Sequence, residues 1–187
     1  MTWNQKTKSI IIDKDGDQAG VDGPVGASKS IAVLHDKIHD GKAYSTGFLE
    51  MERADDASST LFLSTPSDVY CHITLFGSAG GDAIATFHSG AQASGGTVAT
   101  ITNKNFNSSN TSGVSGQYSP SAVTASGTTM WQGLLPGGSK NQAVGAQGEE
   151  RDEFILKPST KYLMKLQNIA GAGKNLSLGC TFYTVDV

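Results

Sequence analysis

Glu153-Phe154-Ile155-Leu156-Lys157-Pro158-Ser159-Thr160-Lys161-Tyr162-Leu163-Met164-Lys165-Leu166-Gln167-Asn168-Ile169-Ala170-Gly171-Ala172-Gly173-Lys174-Asn175-Leu176-Ser177-Leu178-Gly179-Cys180-Thr181-Phe182-Tyr183 lies near the end of the chain and decides its fold class. Three short runs alternate with period two, and turn residues separate them. Pro158 presets φ and cannot donate to a sheet ladder, so residues 157–160 read as a turn. The Gly-rich residues 170–175 read as the next one. Tyr162, Met164 and Leu166 point one way; Lys161, Leu163 and Lys165 point the other. Leu176, Leu178, Cys180 and Phe182 share a face opposite Ser177, Gly179, Thr181 and Tyr183. The pattern predicts a β-meander with one buried and one wetter face, which needs further strands and a second layer to be stable.

The rest of the composition agrees. The chain has 187 residues, enough for one domain with a sizeable core. Charged residues make up 17%, hydrophobic ones 37%, and there are 23 glycines, a balance that suits an all-β protein with polar loops. A formal charge of −3 gives no electrostatic footprint for nucleic acid or an anionic membrane. No apolar run reaches the roughly 20 residues of a membrane helix. The N-terminus lacks the apolar core of a signal peptide, so synthesis and retention in a cytoplasm are expected. Cys71 and Cys180 both sit in apolar registers and are expected as buried core thiols rather than a disulfide.

Upstream, residues 1–30 read as an extended N-terminal arm and residues 31–187 as an antiparallel β-sandwich domain. In the arm, Ser9-Ile10-Ile11-Ile12 is a short strand candidate. Asp13, Asp15 and Asp17 have the spacing of a calcium loop, but Gln18 and Pro24 stand where that loop needs Gly and Glu, so a solvated turn is the expectation. Ile31 to Leu34 reads as a strand. His35 and His39 would share a face if helical, but Asp40-Gly41 signals a turn, and a polar turn between strands is expected. Ala43 to Met51, Ser59 to Ser64, Val69 to Phe76, Ala83 to His88 and Thr97 to Ile101 read as strands. Those beginning at Val69 and Ala83 are expected to form a hairpin with a wide loop. Residues 102–120 read as one long polar loop, which Phe106 and Tyr118 either pin down or use for contacts. Ala122 to Ala125 and Thr128 to Leu135 follow as strand-like runs.

Catalytic motifs are missing. There is no nucleophile elbow, no His-Glu-x-x-His and no phosphate-binding Gly-x-x-x-x-Gly-Lys. His88 and Ser89 are strand neighbours, so they point to opposite faces and make a poor base–nucleophile pair. No enzyme activity, cofactor or metal is expected. A β-sandwich hydrolase stays open, because paired carboxylates can come from distant strands.

Several motifs, in order, resemble the capsid decoration (cement, or head-stabilisation) proteins of tailed bacteriophages. They are His39-Asp-Gly41-Lys-Ala-Tyr44, Ser64-Thr-Pro66, Phe87-His-Ser-Gly90-Ala, Gly95-Gly-Thr97, Thr102-Asn-Lys-Asn105, Ser126-Gly-Thr128, Leu135-Pro-Gly-Gly138, the run from Glu153 to Leu163, Asn168-Ile-Ala-Gly-Ala and Phe182-Tyr183. The resemblance covers about residues 30–187. It implies a jelly-roll-like sandwich on the capsid surface of the virion, bound to the major capsid protein and self-associated as a homotrimer or homodimer. On that reading Ile10, Ile11 and Ile12 add a strand or an apolar plug to a neighbour. The alternative is a tail, fibre or carbohydrate-binding virion module, for which Trp3, Trp131, Phe106 and Tyr118 are candidate platforms, with Trp131 expected in the core.

Overall fold

The computed structural model describes residues 33–119, 122–137 and 153–187, and the backbone of residues 21–22, 27–28 and 145–147. The expectations for Trp3, for Ile10, Ile11 and Ile12 and for Asp13, Asp15 and Asp17 lie outside those residues. The chain divides into two compact units, Met1–Asp36 and Lys37–Val187. In the first, β1 (Val21–Asp22) pairs antiparallel with β2 (Ala27–Ser28).

A short helix, α1 (Val33–His39), stands where the end of a strand and a polar turn were expected. Its C-terminus explains the difference. Gly41 has φ +67°, its N–H donates to Ile38 O (3.0 Å), and Lys42 N–H donates to Lys37 O (2.9 Å). That is a Schellman cap, so Asp40-Gly41 ends a helix instead of joining two strands.

The strands that follow are β3 (Ala43–Arg53), β4 (Ser58–Ser64), β5 (Val69–Ala79), β6 (Ala83–Ser89), β7 (Gln92–Ser94), β8 (Thr97–Val98), β9 (Thr102–Asn103), β10 (Ser115–Tyr118), β11 (Ala122–Ala125), β12 (Thr128–Leu135), β13 (Gly145–Gln147), β14 (Glu153–Leu156), β15 (Lys161–Asn168) and β16 (Lys174–Asp186). All but β7 and β11 build a sandwich of two antiparallel six-stranded sheets. The front sheet runs β13-β5-β16-β3-β9, with β14 also on β5; the back sheet runs β12-β6-β15-β4-β10-β8.

Two pairing expectations are corrected. The last three runs do not form a meander, because β14 and β16 pair with β5 in the front sheet while β15 pairs with β4 and β6 in the back sheet. Nor do β5 and β6 form a hairpin; they lie in opposite sheets. In both places the turn carries the chain across the core, and the inward faces meet instead of continuing side by side.

Those faces are the ones the alternation marks. Tyr162, Met164 and Leu166 from the back sheet meet Leu176, Leu178, Cys180 and Phe182 from the front sheet in one buried cluster. Phe87 is fully buried, 5.8 Å from the Tyr162 ring and 5.2 Å from the Phe154 ring. Cys71 and Cys180 are free and buried, and burial pushes both thiols up to about 12, which leaves them inert.

Leu163 departs from the expected wet face. It is buried with Phe62 and Ala91 in a second, smaller cluster on the other side of the back sheet, packed with Ala93 of β7. There β7 pairs with β11 as a separate two-stranded ribbon. In the same cross-strand row, His88 lies opposite Leu163, with Nε2 2.9 Å from Thr86 Oγ1 and Nδ1 3.2 Å from Thr129 Oγ1. Burial, and then the Lys165 charge, lower its pKa. The unfolded chain therefore binds this proton more tightly than the native one. Stability is full above the ordinary histidine value of about 6.5 and is lost as pH falls through the lowered value. Thermal unfolding between pH 8 and pH 5 should show a smaller loss for His88→Gln than for the parent chain; equal losses would contradict this.

Asn168 joins two turns at one end of the sandwich and is completely buried. Its Nδ2 donates to Arg53 O (2.8 Å), Ala54 O (3.1 Å) and Ala172 O (2.7 Å), while its Oδ1 accepts from Ala170 N–H (3.1 Å). Its backbone N–H donates to Ala57 O and its carbonyl accepts from Asp56 N–H. One side chain thus closes both the β3–β4 and the β15–β16 turns.

Candidate docking surface

Residues 97–119 close one margin of the sandwich. The chain leaves the back sheet at β8, crosses to the front sheet at β9, and returns at β10. What reads in sequence as one polar loop therefore holds two short strands. The Asn and Ser residues between them have a mechanical use. Asn103 Oδ1 accepts from Asn105 N–H (2.8 Å), Asn105 Oδ1 accepts from Asn107 N–H (3.1 Å), and Ser108 Oγ accepts from Asn110 N–H (3.2 Å). These are local side-chain-to-backbone turns, the conformational preference of such residues.

The same loop is tied to the helix cap. Asn103 Nδ2 donates to Gly41 O (2.8 Å), Asn105 Nδ2 to His39 O (3.1 Å) and Asn110 Nδ2 to Asp40 O (3.3 Å). Lys104 N–H adds a backbone bond to Ala43 O (2.8 Å). Gly41 is required twice, for its positive φ and because a Cβ there would lie 2.2 Å from Ser108 Oγ.

At the tip of this fixed loop stands Phe106, 86% exposed. The same margin carries a shallow depression of about 350 Å³, lined by Phe62, Val98, Ile101, Val114 and Gln117 among others. A second, of about 270 Å³, is lined by Tyr44, Ile101, Asn103, Asn110 and Val114. Ile101 and Val114 form the wall between them, and Val98 is 75% exposed. Both hollows are at the small end for small-molecule sites. The margin thus offers one exposed aromatic ring and two hollows of mixed apolar and polar lining on a pre-organised frame, a surface that could take a protein partner.

The expected contact residues separate here. Phe106 is presented to solvent. Tyr118 instead stacks on Phe48, with ring centroids 4.7 Å apart, and packs against the core. Next to it, the Glu50 carboxylate accepts hydrogen bonds from Ser59 and Ser119 hydroxyls and lies 3.5 Å from Arg53 Nε. Trp131, expected in the core, is 39% exposed on the outermost strand of the back sheet. Sequence reading places Val98 in the Thr97 to Ile101 strand but gives it no part in a surface, because alternation does not say that this short strand ends a sheet.

Polar clusters elsewhere are occupied by structural bonds. The Tyr183 hydroxyl lies 3.0 Å from His72 Nδ1, which is 3.3 Å from Glu153 Oε1. Burial first, then the Glu153 carboxylate, push Tyr183 up to about 12. This triad fastens the short β14 to β5 and β16. His35 and His39 do occupy i and i+4 of α1, yet among the described residues no group of three or more His, Cys, Asp or Glu is placed to hold a metal ion. Compared with known families, characterised proteins and solved structures, the chain matches none.

Proposed function

We propose that this protein is a virion structural protein, a capsid decoration or cement protein that binds the outside of a phage head and stabilises the shell of the major capsid protein. The observation that carries the reading is Phe106, held out to solvent by a hydrogen-bonded loop on a rigid β-sandwich. The alternation of β3, β4, β5 and β6 between sheets supports the jelly-roll-like form that the motif resemblance implies. Binding the assembled shell and not its dissociated subunits would stabilise the shell by mass action. Self-association would let several modest contacts act together.

Burying one phenylalanine side chain is worth about 1.5–3 kcal/mol, or roughly 10- to 150-fold in affinity. Phe106→Ala should therefore weaken co-sedimentation of the purified protein with expanded heads by at least about tenfold. Its thermal unfolding should stay within about 0.5 kcal/mol of the parent, since the side chain packs on little. Parent protein that fails to bind heads would reject the function. Parent and variant binding equally well would reject this surface while leaving the function standing. Binding to a glycan array in place of heads would favour the carbohydrate-binding alternative.

A further inference from the structure

We propose that the outer face of the front sheet is a binding platform for a neutral glycan, with a pyranose ring stacked on Phe76 among serine and threonine hydroxyls. The inference concerns residues other than the Phe106 loop and does not depend on shell binding.

Cross-strand register assembles the platform. Phe76 on β5 lies opposite Gly179 on β16, which in turn lies opposite Gly47 on β3. A Cβ at Gly179 would stand 2.6 Å from Phe76 Cε2, and one at Gly47 would stand 3.6 Å from Phe76 Cζ. The ring therefore lies over the backbone of β16 and reaches β3, and it is still 37% exposed. Residues two positions away on each strand share its face. They are Thr74 and Ser78, Ser177 and Thr181, and Ser45 and Leu49. No charged residue stands among them. The neighbouring Glu153, opposite Thr74, is engaged with His72. Among the described residues none of the five hydroxyls has a hydrogen-bond partner, and none is sealed from solvent.

The ligand class follows from that chemistry. An aromatic ring laid over glycine also supports a sheet, which accounts for the inner side of the Phe76 ring but not for the open hydroxyls around it. Nucleic acid and acidic glycans need lysine or arginine, and neither stands here. Protein interfaces are depleted in serine, and Ser45, Ser78 and Ser177 all border this ring. A neutral pyranose with equatorial substituents meets each feature. Its faces carry only axial C–H bonds, which settle on the negative face of an aromatic ring. Its hydroxyls lie at the rim, where serine and threonine oxygens both donate and accept. Gly47 and Gly179 raise no wall beside the ring, so an internal sugar of a chain fits as well as a terminal one.

An array of neutral and acidic glycans probed with the full chain tests this. Neutral glycans should bind, and calorimetry with the best of them should show Phe76→Ala weakening binding about tenfold or more. Phe76→Tyr keeps a ring and should stay within about threefold of the parent. Thr181→Val removes one hydroxyl, keeps the shape and suits a strand. It should weaken binding by about two- to tenfold with unchanged thermal unfolding, so a loss in Phe76→Ala through misfolding would not decide the matter alone. Binding to no glycan, or to acidic glycans only, would overturn the proposal. So would neutral-glycan binding that either Phe76→Ala or Thr181→Val leaves unchanged.

Discussion

Asn168→Asp should destabilise this protein by about 3–5 kcal/mol at neutral pH, lowering the unfolding temperature by roughly 10 °C. The change replaces an amide nitrogen by a carboxylate oxygen. That oxygen would sit among the three carbonyls of Arg53, Ala54 and Ala172, none of which can donate to it. The site is fully buried, so water cannot take over. Acid should relieve part of the loss, because a protonated carboxyl regains one donor and loses its charge. Denaturant unfolding at pH 7 and near pH 4 would check both parts. A loss below 1 kcal/mol, or a loss that grows on acidification relative to the parent, would contradict the role given to Asn168.

Phe87→Ala should cost about 3–5 kcal/mol by a different route, the loss of buried apolar surface plus a cavity that the walls cannot fill. The ring sits on β6, between Tyr162 on β15 and Phe154 on β14, and so contacts both sheets. Phe87→Leu keeps most of the volume and should cost less than half as much. Equal losses for the two variants would show that the ring is not packed as described.

The legible part of the fold is the direction of each side chain. Period-two alternation places Tyr162, Met164 and Leu166 on one face, and Leu176 to Phe182 on another, and both faces are buried. Pairing partners are not legible, because the same alternation fits a hairpin and a crossing between sheets. The run from Glu153 to Asp186 therefore reads as a meander when its strands in fact alternate between sheets. Leu163 is buried against Phe62, Ala91 and Ala93, side chains from other strands and a ribbon that its own alternation cannot show. Trp131 misleads for the converse reason. Its hydrophobicity suggests the core, but its strand is the last in the sheet.

The docking surface is half legible. Phe106 stands out as an aromatic residue in an Asn- and Ser-rich stretch. What holds it in place does not, since the carbonyls of His39, Asp40 and Gly41 that anchor the loop come from a helix cap more than sixty positions upstream. Asp40-Gly41 is recognisable as chain-reversing chemistry, yet whether it ends a helix or joins two strands depends on bonds made by residues on both sides.

The proposed role is tested most directly by a three-dimensional density map of intact virions that carry this protein. β-Sandwich density is expected on the outer surface of the head, seated on the major capsid protein, with the Phe106 loop turned toward the shell. Density for the chain on the tail alone, or heads with none of it, would contradict the account.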